Sequence, residues 1–106
     1  MAHRLLTLTV PLADNDGDAY DSSHFTRIES ALLERFGGFT RVAVSGAWIA
    51  DDGRRYDDCS VRYETLTDDG LAADWLTGYA SVNARVLRQE CVLVTATAVD
   101  RVEFVS

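Results

Sequence analysis

The sequence has 106 residues, of which 47% are apolar, 25% charged and 9% aromatic, and its formal net charge at pH 7 is −7. These values fit one globular domain spanning residues 1–106 and exclude a disordered or low-complexity chain. The acidic balance opposes direct binding to DNA or RNA. No apolar run approaches the ~20 residues of a membrane span, and no signal peptide is evident, so we expect a cytoplasmic protein.

Residues 4–12 alternate between apolar and polar side chains, which predicts a strand with one buried face. Three apolar residues share that face: Leu6, Leu8 and Val10. Pro11 ends the hydrogen bonding of the strand. The acidic loop 14–18 resembles a calcium loop, but its glycine occupies the fourth position instead of the sixth that an EF-hand requires. We therefore expect a solvated loop, with weak divalent-ion binding as the alternative.

A helix is predicted next, because apolar residues recur at steps of three and four. Those residues are Phe25, Ile28, Leu32 and Phe36. Ser22 or Ser23 can cap the start of the helix, and Gly37-Gly38 can end it, since glycine enters the left-handed conformation of a helix C-terminus without strain. His24 falls in the first turn with no nucleophile patterned near it, so we expect a surface residue rather than a general base.

Two strands joined by a tight hairpin are predicted in the middle of the chain. The first has alternating residues that we assign to the core face: Val42, Val44, Gly46 and Trp48. The sequence Asp51-Asp52-Gly53 then signals a turn with positive φ at both central positions. The return strand covers about residues 56–66, with Cys59, Val61 and Tyr63 on the core face.

A second helix is predicted to start near Thr67-Asp68-Asp69, where acidic residues suit the positive end of the helix dipole. Its predicted apolar stripe is Ala72, Trp75, Tyr79, Val82 and Val86. A last strand is predicted at residues 91–98. Its core face would consist of Val92, Val94 and Ala96. A turn at Asp100-Arg101 then allows a short closing strand over Val102 to Val105.

The order β-α-β-β-α-β indicates an α+β domain with the ferredoxin-like fold, in which both helices cover one face of an antiparallel sheet. The closing segment would add an extra short C-terminal strand. We expect four strands to build the covered apolar face, through Leu6, Val44, Val61 and Val94. The open face would be polar, with Thr7, Ser45, Arg62, Glu64 and Thr95. Because Trp48 and Tyr63 are assigned to the core, the open face would offer no aromatic ring on which RNA bases could stack.

Cys59 and Cys91 have no Cys-x-x-Cys pairing and no histidine nearby, so a zinc site is not expected. They are predicted to be small buried hydrophobes in a reducing compartment, and the fold places them too far apart to form a disulfide. The sequence also lacks a P-loop, a Gly-x-Gly-x-x-Gly segment, a nucleophile elbow and a His-Glu-x-x-His motif. We therefore expect neither a cofactor nor a metal, and assign no catalytic residue.

Four short segments follow one another in a characteristic order: Phe36-Gly37-Gly38-Phe39-Thr40, Gly46-Ala47-Trp48, Asp52-Gly53 and Gln89-Glu90-Cys91-Val92. This order resembles a set of short uncharacterised bacterial and phage proteins with the pattern F-G-G-x-T, G-x-W, D-G and Q-E-x-V. The resemblance covers roughly residues 25–105. It implies the ferredoxin-like fold and carries no activity.

Our first functional hypothesis is a non-enzymatic protein whose acidic surface binds a basic surface of a partner protein. Small acidic inhibitors that mimic nucleic acid, including phage-encoded ones, work by this physics. The candidate patch lies around the central hairpin, where four carboxylates are expected to converge: Asp51, Asp52, Asp57 and Asp58. A solvated turn is the alternative interpretation of these residues.

The second hypothesis is a small-molecule binder or monooxygenase-like enzyme of the dimeric α/β-barrel kind, in which two open sheet faces enclose a pocket. Trp75, Asn83 and His24 are residue types that such oxygenases use. The open sheet face is therefore also a candidate surface for a homodimer.

Overall fold

The computed structural model describes residues 2–89 and 92–106 of the chain. Four strands and two helices follow one another in the predicted order. The elements are β1 (His3–Pro11), α1 (Ser22–Phe36), β2 (Thr40–Ile49), β3 (Arg55–Thr67), α2 (Ala72–Val86) and β4 (Leu93–Val99). Cys91, which we expected in the last strand and in the interior, lies outside the described residues.

The four strands form one antiparallel sheet in the order β2-β3-β1-β4, so β1 lies between the third and fourth strands. One buried cluster joins β1 and β3 to both helices: Leu6, Leu8, Val10, Ile28, Leu32, Val61, Tyr63, Ala72, Leu76, Ala80 and Leu87. Because residues from both helices meet the same strand faces, the helices cover one side of the sheet. The ferredoxin-like architecture is confirmed.

α1 starts at a side-chain cap and ends at a glycine. The Asp21 carboxylate accepts a hydrogen bond from the backbone N–H of Ser23 at 2.8 Å, so Asp21 caps the helix instead of the predicted Ser22 or Ser23. This bond lowers the pKa of Asp21. At the other end, Gly37 has a φ of 80° and donates its N–H to the Leu33 carbonyl at 2.8 Å, which confirms the predicted left-handed cap.

α2 begins at Ala72, a few residues after the predicted start. Asp69 lies in the preceding turn, where its carboxylate accepts the Leu71 N–H at 2.9 Å and a bond from the Arg35 guanidinium at 2.7 Å. Both contacts, the backbone bond first, lower the pKa of Asp69. The acidic residues therefore precede the helix as a turn rather than forming its first residues.

The buried face of α2 is rotated from the predicted stripe. Its buried residues are Ala72, Leu76, Ala80 and Asn83, whereas Val82 and Val86 are exposed. Trp75 and Tyr79 lie half-buried at the border of this face, where their rings stack with centroids 5.2 Å apart. Two of the four buried residues are alanines, and the two large rings pack beside the buried face instead of within it.

β2 presents the opposite face to the one predicted. In the pairing of β2 with β3, Arg41 lies opposite Tyr63 and Ala43 lies opposite Val61. Since directly paired residues share a face and Val61 and Tyr63 are buried, the helix side of β2 carries the set Arg41, Ala43, Ser45 and Ala47. Val42, Val44 and Trp48 lie on the open face, and Trp48 is 51% exposed. The predicted core positions of Val42, Val44, Gly46 and Trp48, and the open-face position of Ser45, are wrong. The open face carries the exposed Trp48 ring, so the expectation that this face offers no aromatic ring for base stacking is wrong as well. Alternation divides the residues of an edge strand between two faces, but it does not say which of the two faces the helices cover.

The hairpin connection is longer than predicted. The Gly53 N–H donates to the Ala50 carbonyl and the Ala50 N–H donates to the Arg54 carbonyl, each at 2.9 Å. Within the described chain, the turn has a positive φ at Gly53 alone, at 83°. The connection is therefore a three-residue loop closed by a glycine bulge rather than a two-residue turn with two positive φ values.

The predicted closing strand at Val102 to Val105 is wrong, because residues 101–106 form no strand with any described residue. Phe104 and Val105 are 91% and 86% exposed, so this β-prone run has no partner to complete its hydrogen bonds. Cys59 is exposed rather than buried, since its position on β3 lies beyond the helices. Within the described ranges, no helix is long and apolar enough to span a membrane.

Candidate functional site

A two-stranded extension projects from the main sheet. β3 pairs with β1 only from Ser60 onward, whereas its earlier residues pair with β2 alone. Residues 45–59, here named the hairpin arm, are all exposed except the half-buried Ala50. None of these residues belongs to the buried cluster of the described chain. The hairpin arm is therefore a surface whose side chains are free for recognition.

Two aromatic rings stack on the open face of the hairpin arm. Trp48 and Tyr56 are direct partners in the register, and their ring centroids are 4.8 Å apart at an interplanar angle of 20°. Trp48 is 51% and Tyr56 39% exposed. Such a pair contributes about 0.5–1.5 kcal/mol beyond area burial. A stacked pair that remains this exposed offers ring surface to a ligand.

Asp58 lies on the same face of the hairpin arm, next to the rings. Its Oδ2 atom accepts a hydrogen bond from the indole Nε1–H of Trp48 at 2.8 Å. Among the described residues no donor reaches its Oδ1 atom, which leaves that oxygen for a ligand. Trp48, Tyr56 and Asp58 are named the aromatic–carboxylate site. Ring faces and a carboxylate both attract cations, so the site suits a cationic ligand that also carries a planar group.

The four predicted aspartates all belong to the hairpin arm, but they do not form one patch. Asp51 and Asp52 lie in the turn, and Asp52 accepts the backbone N–H of Arg54 at 2.9 Å. Asp57 points to the opposite face from Asp58 and pairs with Arg55 at 3.0 Å. The Arg55 guanidinium offsets the charge of Asp57, and the sheet separates Asp57 from Asp58 although the two are adjacent in sequence.

Sequence reasoning missed Trp48 and Tyr56 as site residues. The signal was present, because an aromatic residue stands on each side of the Asp-Gly turn at positions that pair across a hairpin. It was overlooked because Trp48 follows Val42 and Val44 in alternation and was assigned with them to the core. Two aromatic residues that pair across a hairpin, beyond the part of the sheet that the helices cover, indicate a stack on the surface.

The residues suggested for an oxygenase do not come together. Trp75 packs against Phe36 at the end of α1, with ring centroids 5.5 Å apart. His24 lies at the start of the same helix, roughly 18 Å away along its axis, where its ring makes a T-shaped contact with that of Tyr20. Asn83 is buried and donates to the Tyr79 carbonyl at 2.8 Å. These three side chains form no common site.

The acidic loop 14–18 uses its first carboxylate internally. Asp14 Oδ1 accepts the backbone N–H groups of Asp16 and Asp18, both at 2.9 Å. The remaining residues of the loop are exposed. Across the chain outside residues 1, 90 and 91, no group of three or more histidine, cysteine or acidic side chains is arranged to hold a metal ion.

Comparisons with known proteins show the fold. No protein-family model and no curated protein sequence matches the chain. A phage SAM lyase in complex with S-methyl-5'-thioadenosine is similar in structure, with a TM-score of 0.64 and 19% identity over 91% of this chain and 81% of that one. The phage SAM lyase in its apo state has a TM-score of 0.63 and 20% sequence identity, over 92% of this chain and 81% of that one. The divalent ion tolerance protein CutA1 from Ehrlichia chaffeensis has a TM-score of 0.61 and 12% sequence identity, over 95% of this chain and 84% of that one.

Proposed function

We propose that this protein binds S-adenosylmethionine at the aromatic–carboxylate site and cleaves it as a lyase in the cytoplasm. The observation that carries the proposal is the Asp58 carboxylate held by Trp48 beside the exposed stack of Trp48 on Tyr56. S-adenosylmethionine combines a sulfonium cation with a planar adenine ring. The ring faces and the carboxylate complement the cation, and the aromatic surface complements the base.

The overall likeness to the phage SAM lyase supports the same proposal, because it extends over nine-tenths of this chain. That likeness concerns the fold, and a fold alone does not determine chemistry. The proposal therefore depends on the three side chains of the site, and the comparison narrows the cations worth testing to a sulfonium.

The proposed reaction balances without a second reactant. The bond between the sulfonium sulfur and the four-carbon amino-acid fragment breaks, and its electron pair goes to sulfur, which leaves S-methyl-5'-thioadenosine. A lyase uses no water, so the fragment's own carboxylate closes onto the carbon that sulfur leaves, giving a five-membered lactone. Asp58 serves to bind and orient the cation. Because the thioether product is uncharged, the site holds it less tightly than the substrate, which favours release.

The test is to incubate the purified protein with S-adenosylmethionine and follow S-methyl-5'-thioadenosine and the amino-acid fragment by mass spectrometry. We expect Asp58→Asn to lower the rate about tenfold or more, because it removes a charged acceptor. Asp57→Asn is the matched control, since Asp57 is the adjacent exposed residue on the opposite face. No product from the wild-type protein, or equal loss in both variants, would contradict the proposal.

A second candidate function is the acidic interaction protein that binds a basic protein surface and not nucleic acid. The observation that favours it is the exposure of Asp51 and Asp52 at the tip of the hairpin arm, where neither forms an ion pair with a described residue. Carboxylates so placed can meet a basic surface before any other part of the molecule does.

This second candidate is tested by capture of partners from extracts of the native host at low and high salt. Reversing Asp52 and Asp58 to lysine should abolish capture at low salt. Reversing Asp16 and Asp18, two exposed aspartates in another loop, makes the same change in net charge and should leave capture unaltered. Identical capture by the two double variants would rule out the patch.

A further inference from the structure

A groove lies on the helix side of the sheet, away from the aromatic–carboxylate site. It separates the N-terminal half of α1 from the edge strand β2 and its neighbour β3, and its volume is about 440 Å³. Its lining residues are Leu12, Phe25, Glu29, Arg41, Ala43, Ser60, Val61 and Tyr63. A volume of this order accommodates a small organic ligand.

The groove exists because β2 turns small side chains toward the helices. Ala43 is the β2 residue opposite Val61, whereas Val42 and Val44 point to the other side of the sheet. A methyl group at this position leaves space beneath α1 that a valine side chain would have filled. The space is bounded by the ring of Phe25, which packs partly against the core.

Three polar side chains form one end of the groove. The Tyr63 hydroxyl donates to Glu29 Oε2 at 2.8 Å, and Arg41 Nη1 donates to the same oxygen at 2.7 Å. Burial, and then the bond to Glu29, raises the pKa of Tyr63, so the phenol stays protonated and keeps donating. No described residue donates to Glu29 Oε1, and no described acceptor meets Arg41 Nη2. An acceptor and a donor are thus both free at this end.

We propose that this groove binds a purine nucleoside. A purine such as adenine presents a hydrogen-bond donor next to an acceptor on one edge, which matches Glu29 Oε1 beside the Arg41 guanidinium. The flat base packs on Phe25 and Val61. The Arg41–Glu29 ion pair keeps this end of the groove close to neutral, so an uncharged nucleoside is favoured over a nucleotide.

This binding site is separate from the one assigned to S-adenosylmethionine. Tyr63 and Val61 face the helices, whereas Asp58 and Tyr56 alternate to the open face of the same strand. One ligand molecule on one protein chain therefore cannot occupy both. The inference does not depend on the proposed lyase activity.

The experiment measures adenosine binding by isothermal titration calorimetry in a chain carrying Trp48→Ala and Asp58→Asn, which removes the other site. We expect one adenosine per chain. Adding Ala43→Leu should weaken binding about tenfold or more, because the larger side chain fills the groove. Ala47→Leu is the matched control, since Ala47 lies on the same face of β2 but outside the groove. Circular dichroism confirms that each variant is folded.

A second ligand tests the hydrogen bonds. Purine riboside lacks the exocyclic amine and leaves Glu29 Oε1 without a donor, so it should bind about tenfold more weakly than adenosine. Absence of adenosine binding in the Trp48→Ala, Asp58→Asn chain, or equal binding in the Ala43→Leu and Ala47→Leu chains, would overturn the inference. The lyase assay on the wild-type protein reports separately on the other site.

Discussion

The buried hydroxyl of Tyr63 couples stability to alkaline pH. Its ring lies in the core and its hydroxyl donates to Glu29, and burial together with this bond raises its pKa above the usual 10.0. The folded protein then keeps a proton that the unfolded chain loses near pH 10. The stabilisation is complete below that pH and is lost as pH rises toward the higher folded value.

We predict that Tyr63→Phe makes the free energy of unfolding less dependent on pH between about pH 9 and about pH 11. At neutral pH it should cost about 1.5–3 kcal/mol, because a bond to a charged acceptor is lost. Urea unfolding at several pH values measures both effects. Tyr56→Phe, at an exposed position, should leave the pH dependence unchanged, and an equal effect of the two substitutions would refute the assignment.

At the same scale, the sequence predicted the burial of Tyr63 but not the exposure of Trp48. Tyr63 alternates with charged neighbours and Trp48 stands between Ala47 and Ile49, and neither pattern says which face of the sheet the ring occupies. The two residues differ in face and in position: Tyr63 faces the helices where β3 pairs with β1, whereas Trp48 lies on the open face beyond that pairing. The extent of strand pairing depends on the whole sheet and is not encoded by local alternation.

At the scale of elements, α1 ends at two adjacent glycines that differ in backbone conformation. Gly37 has a φ of 80°, whereas Gly38 does not have a positive φ. A methyl group added at either position would meet no atom within 4 Å. The two positions therefore differ in backbone strain and not in packing.

We predict that Gly37→Ala lowers the free energy of unfolding by about 1–2 kcal/mol, because an alanine is strained in the left-handed region. Gly38→Ala should be neutral or stabilise the fold by up to about 1 kcal/mol, since it restricts the unfolded chain. Chemical denaturation of the two variants side by side measures the difference. Equal destabilisation would show that the cap conformation does not matter.

The helices and strands could be predicted because each has a repeating pattern bounded by turn residues. The steps from Phe25 to Phe36 identified the buried face of α1, where Ile28 and Leu32 are covered. α2 was less predictable, since apolar residues occur almost all round it and the contact with the sheet selects Leu76 and Ala80 over Val82. The candidate site is only half predictable from the sequence: the sequence predicts the acidic residues, but it assigns the Trp48 ring to the interior and gives Tyr56 no role.

At the scale of the whole molecule, the C-terminal segment lies outside the hydrophobic core. The last residues, 101–106, contribute nothing to the buried cluster of the described chain, and the ion pair between Arg101 and Glu103 is exposed. Exposed pairs of this kind contribute little to stability. The β-prone run at Val102 to Val105 resembled a strand, but pairing requires a neighbouring edge that local sequence cannot supply.

We predict that deleting residues 101–106 changes the melting temperature by less than about 4 °C, because surface segments outside the core alter stability by at most about 0.5 kcal/mol. Differential scanning calorimetry of the shortened and complete chains measures the change. A deletion that lowers the melting temperature far more would mean that the segment packs against the domain in solution.

The hairpin arm has a consequence for how this protein can diversify. Its residues project past the two-layer body and take no part in the buried cluster of the described chain, so exchanging them risks little of the energy that maintains the fold. We therefore expect substitutions in the hairpin arm to alter the proposed ligand binding while the stability of the two-layer body stays nearly unchanged.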